Sequence, residues 1–182
     1  MYNLQQLYEK CALYTDETIG NPPYTGDTLT IINKFKDGIN YAYRKIAREK
    51  WKPIHSENVT VDSNGRFNYV NLTYEFNDVD KIIDNNGNEI YWKYYSDSLI
   101  ECPTVNNNTV TIFYYYIPNE LSDITDIPVI RVSPEILSYM GAFQYFNIEN
   151  DPQATQWLAL FNEEYDKIYK HAKRRVKRVY SE

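Results

Sequence analysis

Histidine, cysteine and glycine are scarce in this chain, with two, two and six copies respectively. Cys11 and Cys102 lie far apart and make no framework spacing, so a disulfide scaffold is excluded; both read as small buried apolar residues in a reducing compartment. Neither His55 nor His171 sits beside Cys or carboxylates at ligand spacing, so each reads as a surface or partly buried imidazole, and no metal site is expected. So few glycines leave no phosphate-cradling loop or dinucleotide fingerprint, and a nucleophile elbow is absent as well. Catalysis therefore has no visible carrier: the expectation is a protein that is not an enzyme, with no catalytic residues and no cofactor. No window approaches the roughly 18 consecutive apolar residues of a membrane span, and Met1-Tyr2-Asn3-Leu4-Gln5-Gln6 lacks the positive start and apolar run of a signal peptide. Neither secretion nor a membrane association is expected.

What is present is 182 residues, 19 of them Tyr, with 19 Lys+Arg against 25 Asp+Glu. The length fits one domain with an appendage and can bury about 70% of the unfolded surface without disulfides or metals. The excess of Tyr, Asn, Ile and Lys is what AT-rich codons supply, so it carries little functional weight. Charge is more informative. Residues 167–182 hold seven of the basic residues and one acid, Glu182, which leaves 12 basic against 24 acidic in residues 1–166. An acidic body weakens general affinity for DNA phosphates, whereas the basic tail suits nucleic acid or an acidic protein surface.

Apolar residues Leu4, Leu7, Tyr8, Cys11 and Tyr14 recur at three- and four-residue steps and predict a short helix over Asn3 to Tyr14. Gly20-Asn21-Pro22-Pro23 breaks it. Asp27 is the expected N-cap of a long second helix, with Ile32, Phe35, Ile39, Tyr43 and Ile46 as its stripe, running to about Trp51 and ending at Pro53. Its opposite face, Lys34, Lys36, Asp37, Arg44, Lys45, Arg48 and Glu49, reads as solvated.

Between Ile54 and Ile117 the period becomes two. Turn signals at Asp62-Ser63-Asn64-Gly65, Asn85-Asn86-Gly87 and Asn106-Asn107-Asn108 join β-branched and aromatic runs, predicting an antiparallel sheet of about five or six short strands. Val110 to Ile117 carries aromatics on both faces, which makes it a central strand. Pro118 to Pro128 reads as an irregular acidic linker with Glu120, Asp123 and Asp126. Ser133-Pro134-Glu135 starts a third helix buried through Ile136, Tyr139, Met140, Phe143 and Phe146. Asp151-Pro152 starts a fourth, with a stripe of Trp157, Phe161, Tyr165, Ile168, Ala172 and Val176 that runs to Val179. The fold class is thus α+β: a bundle of about four helices, two N-terminal and two C-terminal, from 1–52 and 129–182, with an antiparallel β region and linker inserted at 53–128.

Three groups of side chains are candidates for function. Glu163, Glu164 and Asp166 resemble paired carboxylates, but on a helix they meet Lys167 and Lys170 and read as surface ion pairs. Tyr91, Trp92, Tyr94 and Tyr95 suit either a core or a stacking platform for sugars or bases. The most specific is the end of the last helix, where Lys167, Lys170, Lys173, Arg174, Arg175, Lys177 and Arg178 lie away from Tyr165, Ile168, Ala172, Val176 and Val179. Cationic and apolar stripes running together suit docking in a partner groove with acidic rims, although cations at a helix C-terminus also suit its dipole.

Three segments resemble the head-to-tail adaptor (connector or neck) proteins of tailed bacteriophages, including the tail-tubular-A-like adaptors of short-tailed phages. The helix Ile32-Asn33-Lys34-Phe35-Lys36-Asp37-Gly38-Ile39-Asn40-Tyr41-Ala42-Tyr43-Arg44-Lys45-Ile46-Ala47-Arg48 looks like the family's ring-forming helix. Thr109 to Pro118 with its acidic linker, and the closing pair Ser133 to Ile148 and Asp151 to Arg175, follow the family's element order. The resemblance implies a structural virion protein of the neck, assembled in the host cytoplasm into a homo-oligomeric ring of twelve copies. That ring would lie below the portal protein, connecting capsid to tail and touching tail, nozzle or further neck proteins. It also implies a central channel through which DNA is ejected without specific binding, and a C-terminal segment that docks on the portal. A ring whose copies meet by heterologous contacts would use aromatic- and Asn-rich flanks, and an acidic inner wall would let DNA slide. The alternative is a polymer-binding module whose aromatic sheet stacks on glycan rings or single-stranded nucleic acid.

Overall fold

A computed structural model describes residues 1–179 of the chain, with side chains through Ile168. The chain divides into two compact units, one of residues 1–51 with 120 onward and one of residues 52–119.

The first unit holds four helices, α1 (Leu4–Thr15), α2 (Gly26–Ile46), α3 (Pro134–Ile148) and α4 (Ala154–Val179). Asn3 and Gln6 form a capping box at the start of α1, each side chain accepting the other's backbone N–H at 3.0 and 2.9 Å. The next donors of the first turn are met by the acidic linker, since Leu4 and Gln5 donate to the carbonyls of Asp126 and Ile124 at 2.9 and 3.0 Å. The N-cap of α2 is Thr25, which makes no side-chain bond. Asp27 lies instead in the first turn, where its charge complements the positive end of the helix. Regular α-helix stops at Ile46, and a π-helical turn, Ala47–Trp51, completes the element.

The core of this unit lies where α3 meets α1 and α2, around Leu7, Cys11, Phe35, Ile39, Tyr43, Leu137 and Met140. Glycine permits the closest approaches: a Cβ on Gly38 would lie 2.1 Å from the Met140 carbonyl oxygen, and one on Gly141 would lie 2.4 Å from Cys11 Sγ. The linker contributes to this core through buried Leu121 and partly buried Ile124, and Ile130 just after it is buried as well.

The second unit contains two three-stranded antiparallel sheets, where one sheet was expected. The first has β6 (Thr109–Ile117) at its centre, between β1 (Ile54–Thr60) and β3 (Glu75–Ile83). Pairing of β1 with β6 is unbroken from Ile54–Tyr115 to Thr60–Thr109, while that of β3 with β6 slips twice. The second sheet orders β2 (Arg66–Asn68), β5 (Leu99–Glu101) and β4 (Lys93–Tyr94). Hence the Asp62 to Gly65 turn passes the chain from one sheet to the other and does not close a hairpin. Asp62 Oδ1 fixes it by accepting the N–H groups of Asn64 and Arg66, both at 2.8 Å. Gly65, at φ +74°, is required there twice over, because a Cβ would also lie 2.3 Å from the Cys102 carbonyl oxygen. Val61, Phe67, Ile82, Ile100, Cys102, Ile112 and Tyr114 form the core of this unit.

Candidate functional site

Helix α4 is 26 residues long, against 15 for α3 on which it packs. Trp157 stacks on Tyr14 of α1 at 4.9 Å between centroids, and Phe161, buried in the helical core, stacks on Tyr165 one turn along α4 at 5.5 Å. Such pairs add about 1 kcal/mol to the burial of the rings themselves.

Tyr165, on the candidate docking stripe, is buried in its own subunit. Its hydroxyl donates to the Glu49 carboxylate of the π-helical turn, and the ammonium groups of Lys50 and Lys45 lie 4.4 and 5.5 Å from its ring centroid. Burial, then the Glu49 carboxylate, holds the phenol well above its usual range. Lys167 is exposed and pairs along the helix with Glu163 at 2.8 Å and Glu164 at 2.7 Å, the geometry of a solvated face. These two carboxylates raise its pKa and Lys167 lowers that of Glu163. Ile168 is half-buried against the helical core. Thus the structure brings Tyr165 and Ile168 to the bundle and turns Lys167 to solvent. The side chains of Lys170, Ala172, Lys173, Arg174, Arg175, Val176, Lys177, Arg178 and Val179, and of His171, lie outside the described residues.

The aromatic residues of the second unit mostly face one another. Tyr69 stacks on Phe76 at 4.4 Å, Trp92 meets Tyr94 edge-on at 5.5 Å, and the Arg66 guanidinium lies 3.4 Å from the Tyr95 ring centroid. The Tyr94 hydroxyl donates to Asp78 at 2.7 Å, and its pKa is pushed up to about 12 by burial and by that carboxylate. Tyr91 remains 68% exposed. His55 is half-buried among rings, edge-on to Tyr74 at 4.8 Å and to Tyr114 at 5.8 Å. Among the described residues no group of three His, Cys, Asp or Glu side chains is placed to hold a metal ion, and no helix is long and apolar enough to cross a membrane.

A second feature of the helical unit was not anticipated. Where α2 and α4 diverge over α3, they leave a groove of about 450 Å³. Met140, Phe143, Leu158 and Phe161 give it an apolar lining, and Tyr41, 56% exposed, stands at its edge. The one sequence signal was Tyr41 itself, an aromatic residue on the otherwise charged face of α2.

A family model for the SU10 adaptor protein matches residues 2–181, and so covers both units and the candidate helix. No curated protein matches the chain. The chain belongs to the SU10 adaptor protein family, a family of bacteriophage head–tail adaptors whose members act with other head and tail proteins.

Proposed function

We propose that this chain is a non-enzymatic structural adaptor of the tail-tubular-A-like kind, forming a ring of twelve copies below the portal of a tailed phage. The ring connects capsid to tail in the neck of the virion, its β unit (residues 52–119) faces tail or further neck proteins, and DNA passes through it without specific contacts. The end of α4 docks on the portal.

The family match over residues 2–181 carries this reading. Docking by α4 is supported by the division of labour along that helix. Trp157, Phe161 and Tyr165 anchor its first half, while helical backbone continues to Val179 through a segment dense in Lys and Arg. Such a segment suits a groove with acidic rims. The −12 balance of residues 1–166 suits a channel that repels phosphate. Stacking on glycans or single-stranded nucleic acid has less behind it, because Tyr69, Phe76, Trp92 and Tyr94 are engaged with each other.

The test is removal of residues 167–182 followed by co-sedimentation with the purified portal. The shortened chain is expected to keep its thermal unfolding transition and lose portal binding. Binding equal to that of the full chain would overturn the docking role of α4.

A further inference from the structure

The sheet built on β6 has two edges, and the chain treats them differently. Along β3 the register slips twice, Asp78 Oδ1 takes the Val79 N–H at 2.9 Å, and the Ile82 carbonyl accepts the Ile90 N–H at 2.9 Å. Glu75, Asp78, Asp80 and Lys81 add charge along the same strand. Bulges, charges and a covering segment are the devices that keep a sheet edge from pairing with another chain.

Strand β1 is built otherwise. Its seven residues pair with β6 in unbroken register and include no Pro, Lys or Arg. Its one carboxylate, Glu57, is engaged by Thr73 and Tyr114 of its own unit. The phase of the ladder is fixed at both ends, where the Pro53 carbonyl accepts the Tyr116 N–H at 3.0 Å and the Val61 N–H donates to the Asn108 carbonyl at 2.9 Å. Bonded pairs therefore fall at His55–Tyr114, Glu57–Ile112 and Val59–Val110. The N–H and C=O groups of Ile54, Ser56, Asn58 and Thr60 are turned away from β6, and among the described residues they have no partner.

We infer that this edge pairs with the same edge of a second copy, β1 against β1, antiparallel about a two-fold axis at Ser56. Side chains choose the register. An axis at Glu57 sets the two Glu57 residues against each other, and like charges directly opposite oppose pairing. An axis at Asn58 sets the Glu57 carboxylate against Val59, and one at His55 shortens the paired stretch. With the axis at Ser56, His55 of each copy lies opposite Glu57 of the other, an imidazole donor facing a carboxylate on both sides of the axis. Lys52 falls opposite Thr60 and Asp62 lies beyond the paired stretch, so no like charges meet. The pairs Ile54–Asn58, Ser56–Ser56 and Asn58–Ile54 exchange about six backbone bonds. Two sheets of three strands become one continuous sheet. A two-fold contact cannot join neighbours of a cyclic ring, whose contacts are heterologous. The dimer is therefore a state of the free chain and stands apart from the ring reading.

The test uses the full-length chain, in which Cys11 and Cys102 are buried. Across a bonded antiparallel pair the Cα atoms lie about 5.5 Å apart, within the span of a disulfide. Under mild oxidation Ser56→Cys is expected to give a disulfide-linked dimer, and Ile54→Cys mixed with Asn58→Cys a mixed dimer. Thr60→Cys, opposite Lys52, should stay unlinked. Ser56→Pro removes an outward N–H and no bond to β6, a change that edge strands accept. It is expected to unfold at the parent's midpoint, to weaken dimerisation in sedimentation equilibrium by about tenfold or more, and to assemble on the portal as the parent does. A parent chain that sediments as a monomer at every concentration, or a Ser56→Cys chain that oxidises no faster than Thr60→Cys, would overturn the pairing. Preferential linkage of Ser56→Cys to Asn58→Cys would overturn it too, by moving the axis to Glu57. Loss of portal assembly together with dimerisation in Ser56→Pro would make β1 a ring contact and overturn the two-fold assignment.

Discussion

The side-chain amide of Asn40 on α2 grips the backbone of Leu121 from both ends, donating to its carbonyl at 3.0 Å and accepting its N–H at 2.8 Å. Asn40 is buried, so these bonds are shielded from water, and they fix the acidic linker on the helical unit at the point where the chain returns from the β unit. Asn40→Ala would remove both bonds and leave two buried backbone groups unmet, a loss of about 2–3 kcal/mol. Urea unfolding should show it as a lower midpoint at unchanged slope. A change below about 0.5 kcal/mol would mean that Leu121 finds other partners.

Gly38 offers a sharper contrast between local and tertiary preference. In an isolated helix, Gly→Ala would stabilise by about 1 kcal/mol. Here the added methyl would meet Met140 backbone oxygen and carbon at 2.1 and 2.6 Å, and backbone cannot rotate out of the way. Gly38→Ala is therefore expected to lose about 3 kcal/mol by forcing α2 and α3 apart. A variant as stable as the parent, judged by thermal unfolding, would show that the two helices are less closely packed.

Much of this was legible in the sequence because helices announce themselves by period. Leu4 to Cys11, Ile32 to Ile46, and Ile136, Met140 and Phe146 lie on stripes that the structure buries, with Tyr14, Tyr139 and Phe143 only partly covered, and aromatics on both faces of Val110 to Ile117 marked the central strand. Other features depend on contacts that no local pattern encodes. The division into two sheets follows from β1 and β2 choosing different partners across the Asp62 turn, although the turn residues look like those of any hairpin. The linker reads as solvated from Glu120, Asp123 and Asp126, yet those acids stay near the surface while Leu121 is buried and Ile124 packs against the core between them. At the candidate site, stripe membership could not tell burial in a partner from burial at home, and Tyr165 turned inward to Glu49. The groove was invisible because three helices build it.

Acid should loosen the β unit through a small set of carboxylates. Glu57 is pushed up by partial burial, but the N–H and hydroxyl of Thr73, at 2.9 and 2.6 Å, and the Tyr114 hydroxyl, at 2.8 Å, outweigh this and hold its carboxyl below the usual carboxylate range. Asp62 and Asp84 are lowered too, chiefly by backbone N–H donors in their turns. A lowered carboxylate pKa gives stability that is fully present above the unfolded value and is lost as pH falls through the folded one. Stability should thus hold from neutrality to about pH 5 and fall below it. Glu57→Gln should lower stability at neutral pH and flatten part of that acid slope in denaturant titrations, whereas an unchanged slope would exclude Glu57 as a contributor.

Both thiols should be silent in the native protein. Burial raises Cys11 far above the range of a reactive thiol and pushes Cys102 up to about 11, so neither presents a thiolate near neutrality. Ellman's reagent is expected to titrate no thiol in buffer and two in denaturant. Rapid reaction of one thiol without denaturant would show that its unit opens readily.

Along α4, anchoring and docking should separate by mutation. Tyr165→Ala removes a buried ring stacked on Phe161 and the hydroxyl bond to Glu49, with an expected loss of about 3 kcal/mol. Tyr165→Phe keeps the ring and should lose about 1 kcal/mol with the hydroxyl bond to Glu49. Reversing three of the terminal charges by Lys173→Glu, Arg174→Glu and Arg175→Glu leaves Glu49, Phe161 and Tyr165 unaltered. That triple variant is expected to unfold at the parent's midpoint and to bind the portal at least tenfold more weakly, on the order of 1.4 kcal/mol. If Tyr165→Phe weakened portal binding as much as the triple reversal did, without loss of stability, the ring would have to leave Glu49 for the partner, and the boundary between anchor and docking surface would move toward the N-terminus of α4.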